Sequence, residues 1–154
     1  MRITTQAEYG LICALHLARR AADGPVTGRD IAAGERLPSD YVEQIMLKLR
    51  RADIVRSTRG ARGGYQLARP AASINAAEII DAVEGPVALT ECAGGAGNCG
   101  IEATCLVGHG WQRISRAIRH ALVDVSLEEL LRRDSVFAAP DLMRLPAART
   151  QARG

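Results

Sequence analysis

Three cysteines stand close together in this chain: Cys92, Cys99 and Cys105, separated by six and five residues within a glycine-rich stretch. Thiolates are soft donors, and a cluster of them points to iron–sulfur chemistry or zinc. Structural zinc ordinarily uses cysteine pairs about two to four residues apart, and this stretch has no such pair. Single cysteines spread along a loop suit an iron–sulfur cluster better, because its irons are further apart and the loop must wrap it. Three thiolates leave such a cluster one ligand short, and His109 and Glu8 are the available completions. A thiol switch without metal is the competing chemistry. Cys13 lies in an apolar helical pattern and reads as a buried core thiol, while His16 and His120 take no assigned role.

A second chemistry lies in the charges. Between Gln44 and Pro70 stand seven bases (Lys48, Arg50, Arg51, Arg56, Arg59, Arg62 and Arg69) against the single acid Asp53, a net +6 in 27 residues of a chain whose total is only +3. A local excess of that kind suits a polyanion. Just ahead of it, Ser39-Asp-Tyr-Val-Glu-Gln44 presents side chains able to meet base edges. Glu43 can accept from a cytosine amino group and Gln44 can pair with adenine, while Lys48, Arg50 and Arg51 would meet phosphates. Arg59 and Arg62 flank a glycine-rich tip that could enter a minor groove.

The elements that must carry these residues follow from periodicity. Three- and four-residue apolar steps from Thr4 to Ala22 predict a first helix, its stripe formed by Ile3, Ala7, Leu11, Ala14, Leu15 and Ala18. Thr27 caps a short second helix that Gly34 ends, and a third runs from Pro38-Ser39 to about Ala52 with Val42, Ile45, Met46 and Leu49 inward. The period then changes: Ile54–Thr58 and Tyr65–Leu67 read as short strands joined by Arg59-Gly-Ala-Arg-Gly-Gly64. Three helices followed by a hairpin with a basic tip is the order of a winged helix-turn-helix. Asn75 caps a further helix to about Glu84, and Gly85 to Gly110 reads as a loop. Trp111, Ile114, Ala117, Ile118, Ala121, Leu122 and Val125 form a long stripe that needs a partner, most simply a second copy of the chain. Ser126-Leu-Glu-Glu129 is a capping box opening a last short helix.

The expected fold is therefore mainly α with a small β-wing. Residues 1–84 form the winged helix-turn-helix domain, 85–110 the cysteine-bearing loop, 111–133 a dimerisation helix with a short terminal helix, and 134–154 a mobile tail. Apolar residues at 47% exclude wholesale disorder, and aromatics at 3% argue against a stacking surface for single strands. The chain has no run of roughly eighteen apolar residues and no signal-peptide layout at its start, so a soluble cytoplasmic protein without membrane contact is expected. An enzyme is not expected, since no phosphate loop, nucleophile–base pair or paired-carboxylate site is present.

These residues resemble the IscR/NsrR/RirA-type winged-helix regulators of bacteria over about residues 1–132. The likeness is carried by Met-Arg-Ile-Thr at the start, Tyr41-Val-Glu-Gln44, Leu49-Arg50, Val55, Arg59-Gly-Ala-Arg-Gly-Gly-Tyr65, Asn75–Glu84 and the triad Cys92, Cys99 and Cys105. The resemblance implies a homodimeric transcription factor, most simply a repressor, on a pseudo-palindromic double-stranded operator. Redox state, nitric oxide or iron status would be sensed through an iron–sulfur cluster, 2Fe–2S in preference to 4Fe–4S. It puts DNA contacts on Glu43, Gln44 and Arg59, and the dimerisation helix on about His109 to Val125. The family's histidine place, three residues after the last cysteine, is Gly108 here, with His109 one further on; its acidic place on the first helix is Glu8. Glu8, reaching in from the other subunit, is therefore the expected fourth ligand and His109 the alternative. The competing functions are a zinc- or thiol-based redox regulator and, further off, an iron–sulfur carrier, which would have no use for the basic hairpin.

Overall fold

Thr4 opens the first helix as its N-cap, its hydroxyl accepting from the Ala7 amide at 3.3 Å, and α1 (Thr5–Arg19) follows. The computed structural model describes residues 4–86, 89–90 and 107–132. In α1 the buried face runs Ala7, Gly10, Cys13, Ala14 and Leu17. Leu11, Leu15 and Ala18, expected on that face, are only partly buried. The face turns toward the small residues because the helices meet closely there: a Cβ on Gly10 would lie 2.9 Å from Val83 Cγ2.

Thr27 caps α2 (Gly28–Glu35), accepting from the Asp30 amide at 3.1 Å. Gly34 does not end this helix. The stop is Arg36, in the left-handed conformation at φ 56°, and Gly34 instead leaves room for His16, whose Cε1 would lie 2.8 Å from a Cβ there. His16 is buried, with Nδ1 2.7 Å from Glu35 Oε1, and Arg19 joins the same carboxylate. The α1–α2 pairing thus rests on this polar cluster as well as on apolar contact.

Helix α3 (Ser39–Arg51) buries Val42, Ile45, Met46 and Leu49 as its period predicts. Strands β1 (Val55–Thr58) and β2 (Gly64–Leu67) pair antiparallel, with Val55 opposite Leu67 and Thr58 opposite Gly64. Val26 adds a one-residue third rung, exchanging backbone hydrogen bonds of 2.9 and 2.7 Å with Tyr65. This ties the wing to the segment entering α2.

After a 3₁₀ turn (Ala71–Ser73), Asn75 and Glu78 form a reciprocal capping box for α4 (Ala76–Glu84). Ser126 and Glu129 do the same for α6 (Leu127–Leu131), which follows α5 (Gly108–Val123). The two caps lie side by side: the Ala76 amide donates to Val125 and the Leu127 amide to Ile74, both at 2.9 Å. Leu127 is fully buried in the same core as Ile31, Ile45 and Ile74, so the chain beyond α5 returns to the first domain. Helix α5 leans on α4 through the Arg119–Asp81 pair, and its Ser115 accepts from the Leu89 amide at 3.1 Å. Trp111 and Ile114, on the predicted stripe, remain 40% and 46% exposed. The tail at 134–154 lies outside the described residues.

Candidate nucleic-acid interface and cysteine site

The turn Arg36–Pro38 swings the chain from α2 into α3, whose inner face is anchored by four buried apolar residues. The opposite face carries Ser39, Tyr41, Glu43, Gln44, Arg50 and Arg51, all exposed. Ser39 is the first residue of the helix. Tyr41 lies edge-on to Tyr9 with ring centroids 6.1 Å apart, a geometry that holds its ring at the surface of α3. Arg50 donates to Ser57 Oγ of β1 at 3.3 Å, and the Tyr65 hydroxyl of β2 donates to Glu43 Oε2 at 3.3 Å. These two bonds tie the polar edge of α3 to both strands of the wing.

At the wing tip Arg59 and Arg62 are exposed, and their side chains pair with none of the described residues. Gly60 takes φ +114° and Gly64 φ +153°. Such positive values are open to glycine and costly for other residues, so the glycines give the tip a shape that brings both arginines to a tight turn.

Lys48 departs from its predicted place. Its ammonium donates to Gln6 Oε1 at 3.0 Å and to the Val83 carbonyl at 2.7 Å. That carbonyl belongs to the last turn of α4, the negative end of its dipole, which draws the cation inward. Lys48 therefore clasps α1, α3 and α4 together instead of extending toward phosphates.

Two residues to which the sequence assigned no functional role lie behind Glu43. Tyr65 holds one carboxylate oxygen. Gly28, buried at the start of α2, leaves the space the other oxygen fills, since a Cβ there would stand 2.1 Å from Glu43 Oε1. Burial first, and then the Glu43 charge and hydrogen bond, raise the Tyr65 phenol above its ordinary range. Nothing in the local pattern signals this cluster, for its members are 15 to 37 positions apart along the chain.

Cys92, Cys99 and Cys105 lie outside the described residues. The two candidate completions are described. Glu8 sits exposed on the first turn of α1. His109 is exposed too, on the first turn of α5 and not in the preceding loop. Neither side chain has a hydrogen-bond or ion-pair partner among the described residues. Cys13 is fully buried, as predicted, and burial, followed by the nearby Glu35 charge, pushes its thiol up to about 12. A thiol held so firmly protonated is neither a ligand nor a nucleophile. No helix among the described residues is long and apolar enough to cross a membrane.

Residues 3–133 match the Rrf2 family, described as an iron-dependent transcriptional regulator. The chain is 41% identical over 145 residues to ORF2 of Azotobacter vinelandii, which bears an HTH-type regulator name, covering 94% of this chain and 86% of that one. Among solved structures it is similar to CymR, the global cysteine regulator of B. subtilis, at 34% identity and TM-score 0.67 over 85% of this chain and 96% of that one. It is also similar to T. potens IscR, at 29% identity and TM-score 0.68, covering 85% and 86% of the two chains.

Proposed function

The chain belongs to the Rrf2 family of transcriptional regulators, DNA-binding proteins and not enzymes, and on that premise we propose that it is a homodimeric repressor whose operator affinity follows an iron–sulfur cluster held by Cys92, Cys99 and Cys105. One observation carries the DNA half of this reading: the exposed polar edge of α3 is tied to both strands of the arginine-tipped wing by the Tyr65–Glu43 and Arg50–Ser57 bonds. Glu43 and Gln44 read base edges in the major groove, Ser39, Tyr41, Arg50 and Arg51 engage the backbone, and Arg59 and Arg62 reach the adjacent minor groove. The exposed Trp111 and Ile114 on α5 support a two-fold dimer, and a dimer calls for a pseudo-palindromic operator. A cytoplasmic location fits a regulator of this kind.

The donor set fits an iron–sulfur cluster: three thiolates of soft character, with an exposed carboxylate at Glu8 and an exposed imidazole at His109 in reserve. When bound, a cluster supplies a group that reacts with oxidants and nitric oxide or is lost when iron is scarce. Glu8, from the opposite subunit, is the preferred fourth ligand, because a carboxylate oxygen is a weaker partner for iron than thiolate and its bond is easily broken. A ligand shared across the dimer would favour one spacing of the two recognition helices over another, which is the differential affinity a sensor requires. The likeness to a cysteine regulator favours a second reading, in which the same cysteines act as thiols or zinc ligands.

Anaerobic reconstitution of the full chain with iron and sulfide separates the two. The first reading expects a visible chromophore, lost in Cys92→Ala, Cys99→Ala and Cys105→Ala and kept in Cys13→Ala, with a shorter cluster lifetime in Glu8→Ala than in His109→Ala. A 2Fe–2S spectrum is expected ahead of a 4Fe–4S one. A colourless protein with stoichiometric zinc would favour the second reading. A monomer at assay concentration, or a footprint over one asymmetric half-site, would sink the dimer.

A further inference from the structure

Glu43 is the acidic group that the proposed interface sets against a polyanion, so whatever fixes its carboxylate decides what that carboxylate can read. Elements other than α3 bond one of its oxygens and make room for the other. Oε2 accepts from the Tyr65 hydroxyl on β2 at 3.3 Å. Oε1 fills the space above Gly28, at the first residue of α2, where the helix presents its positive end. Tyr65 is in turn fixed by the backbone exchange with Val26, one residue before the α2 cap.

A glutamate free to turn near DNA would swing away from the phosphates and cease to distinguish one base from another. A neutral phenol restrains it without cancelling its charge. The carboxylate keeps lone pairs to accept from a cytosine amino group and still repels a base edge that offers only acceptors. Arg50, on the same helix, donates to Ser57 and forms no ion pair with Glu43 among the described residues. We infer that Tyr65 and Gly28 are positioning residues that hold the Glu43 carboxylate in one place on the reading edge of α3 and thereby set the base preference of the interface. The inference rests on the assignment of α3 as the recognition helix.

Two variants disturb the carboxylate by unrelated routes. Tyr65→Phe removes the donor and keeps the ring. Gly28→Ala places a methyl group where Oε1 now lies, and because the displaced atom is the end of a flexible, exposed side chain, the fold accommodates it. Operators selected from a random duplex library provide the probe, and anisotropy measures the affinity of the full-length protein for each single base-pair change in a half-site. Glu43→Ala is expected to flatten discrimination at one position by roughly tenfold. Tyr65→Phe and Gly28→Ala should each flatten the same position by roughly threefold, leave the salt dependence unchanged, and add nothing in a Glu43→Ala background.

If Glu43→Ala alters the pattern while both other variants keep the wild-type one, the positioning role is wrong and the recognition helix stands. Uniform weakening on every duplex overturns it as well, since that marks a phosphate contact or a loosened wing. A Glu43→Ala protein with unaltered preference removes the base-reading role of Glu43, and the positioning role falls with it.

Discussion

Replacing Gly64 with alanine should open the seam between the wing and the segment entering α2. At Gly64 the backbone takes φ +153°, and a Cβ would stand 2.6 Å from both the carbonyl carbon and the oxygen of Val26. Those atoms are backbone, so they cannot swing aside as a side-chain end would. The dihedral alone costs about 1–3 kcal/mol in a residue other than glycine. Moving Val26 away also breaks its two hydrogen bonds with Tyr65, worth about 0.5–1.5 kcal/mol each, for a total of about 2–6 kcal/mol. Gly60 is the control, since its φ of +114° is also positive but a Cβ there meets nothing within 4 Å. Gly60→Ala should therefore cost only the dihedral, about 1–3 kcal/mol. Urea denaturation followed by circular dichroism gives both values, and amide exchange at Val26 and Tyr65 should accelerate in Gly64→Ala alone. Equal costs for the two variants, with exchange at Val26 unchanged, would refute the reasoning.

Lys48→Met should lower stability by about 1–3 kcal/mol, through loss of its hydrogen bonds to Gln6 and Val83, and leave the salt dependence of DNA binding unaltered. Arg59→Ala should do the reverse, weakening binding and reducing the salt slope by about 1 with little change in the unfolding midpoint. Cys13 should resist iodoacetamide in the native protein at pH 8 and react once urea unfolds it, as read by peptide mass spectrometry. Folding raises that thiol from 9.0 to about 12, so its linked stability is complete below pH 9 and is lost as the pH climbs toward 12. Cys13→Ala should lose less stability over that range than the wild type does.

Where information was local, the residues announced their structure. Thr27, Asn75 and Ser126 each bond backbone amides that a helix start leaves unsatisfied, a need met within three residues, so their helices were predictable. Val42, Ile45, Met46 and Leu49 recur at the period of α3, and the burial of that face follows from amphipathicity alone. The exposed edge carrying Glu43 and Gln44 was legible for the same reason, as was the wing, whose glycines and change of period mark a hairpin. Charge at the wing tip was equally plain, since Arg59 and Arg62 belong to a run with one acid.

Only the tertiary structure decided what those groups face. Gly34 reads locally as a stop, yet it lies within α2, and its missing side chain serves instead to admit His16 of α1. Lys48 belongs by composition to the basic run, but the carbonyl that captures it lies 35 residues away. Glu43, Tyr65 and Gly28 meet only when the wing folds back along α3, and α6 joins the core only because two distant caps pair through Ile74 and Val125. Caps and periods depend on neighbours a few residues apart, whose geometry the backbone imposes. Contacts between elements depend on how whole helices and a hairpin pack, and no single segment carries that arrangement.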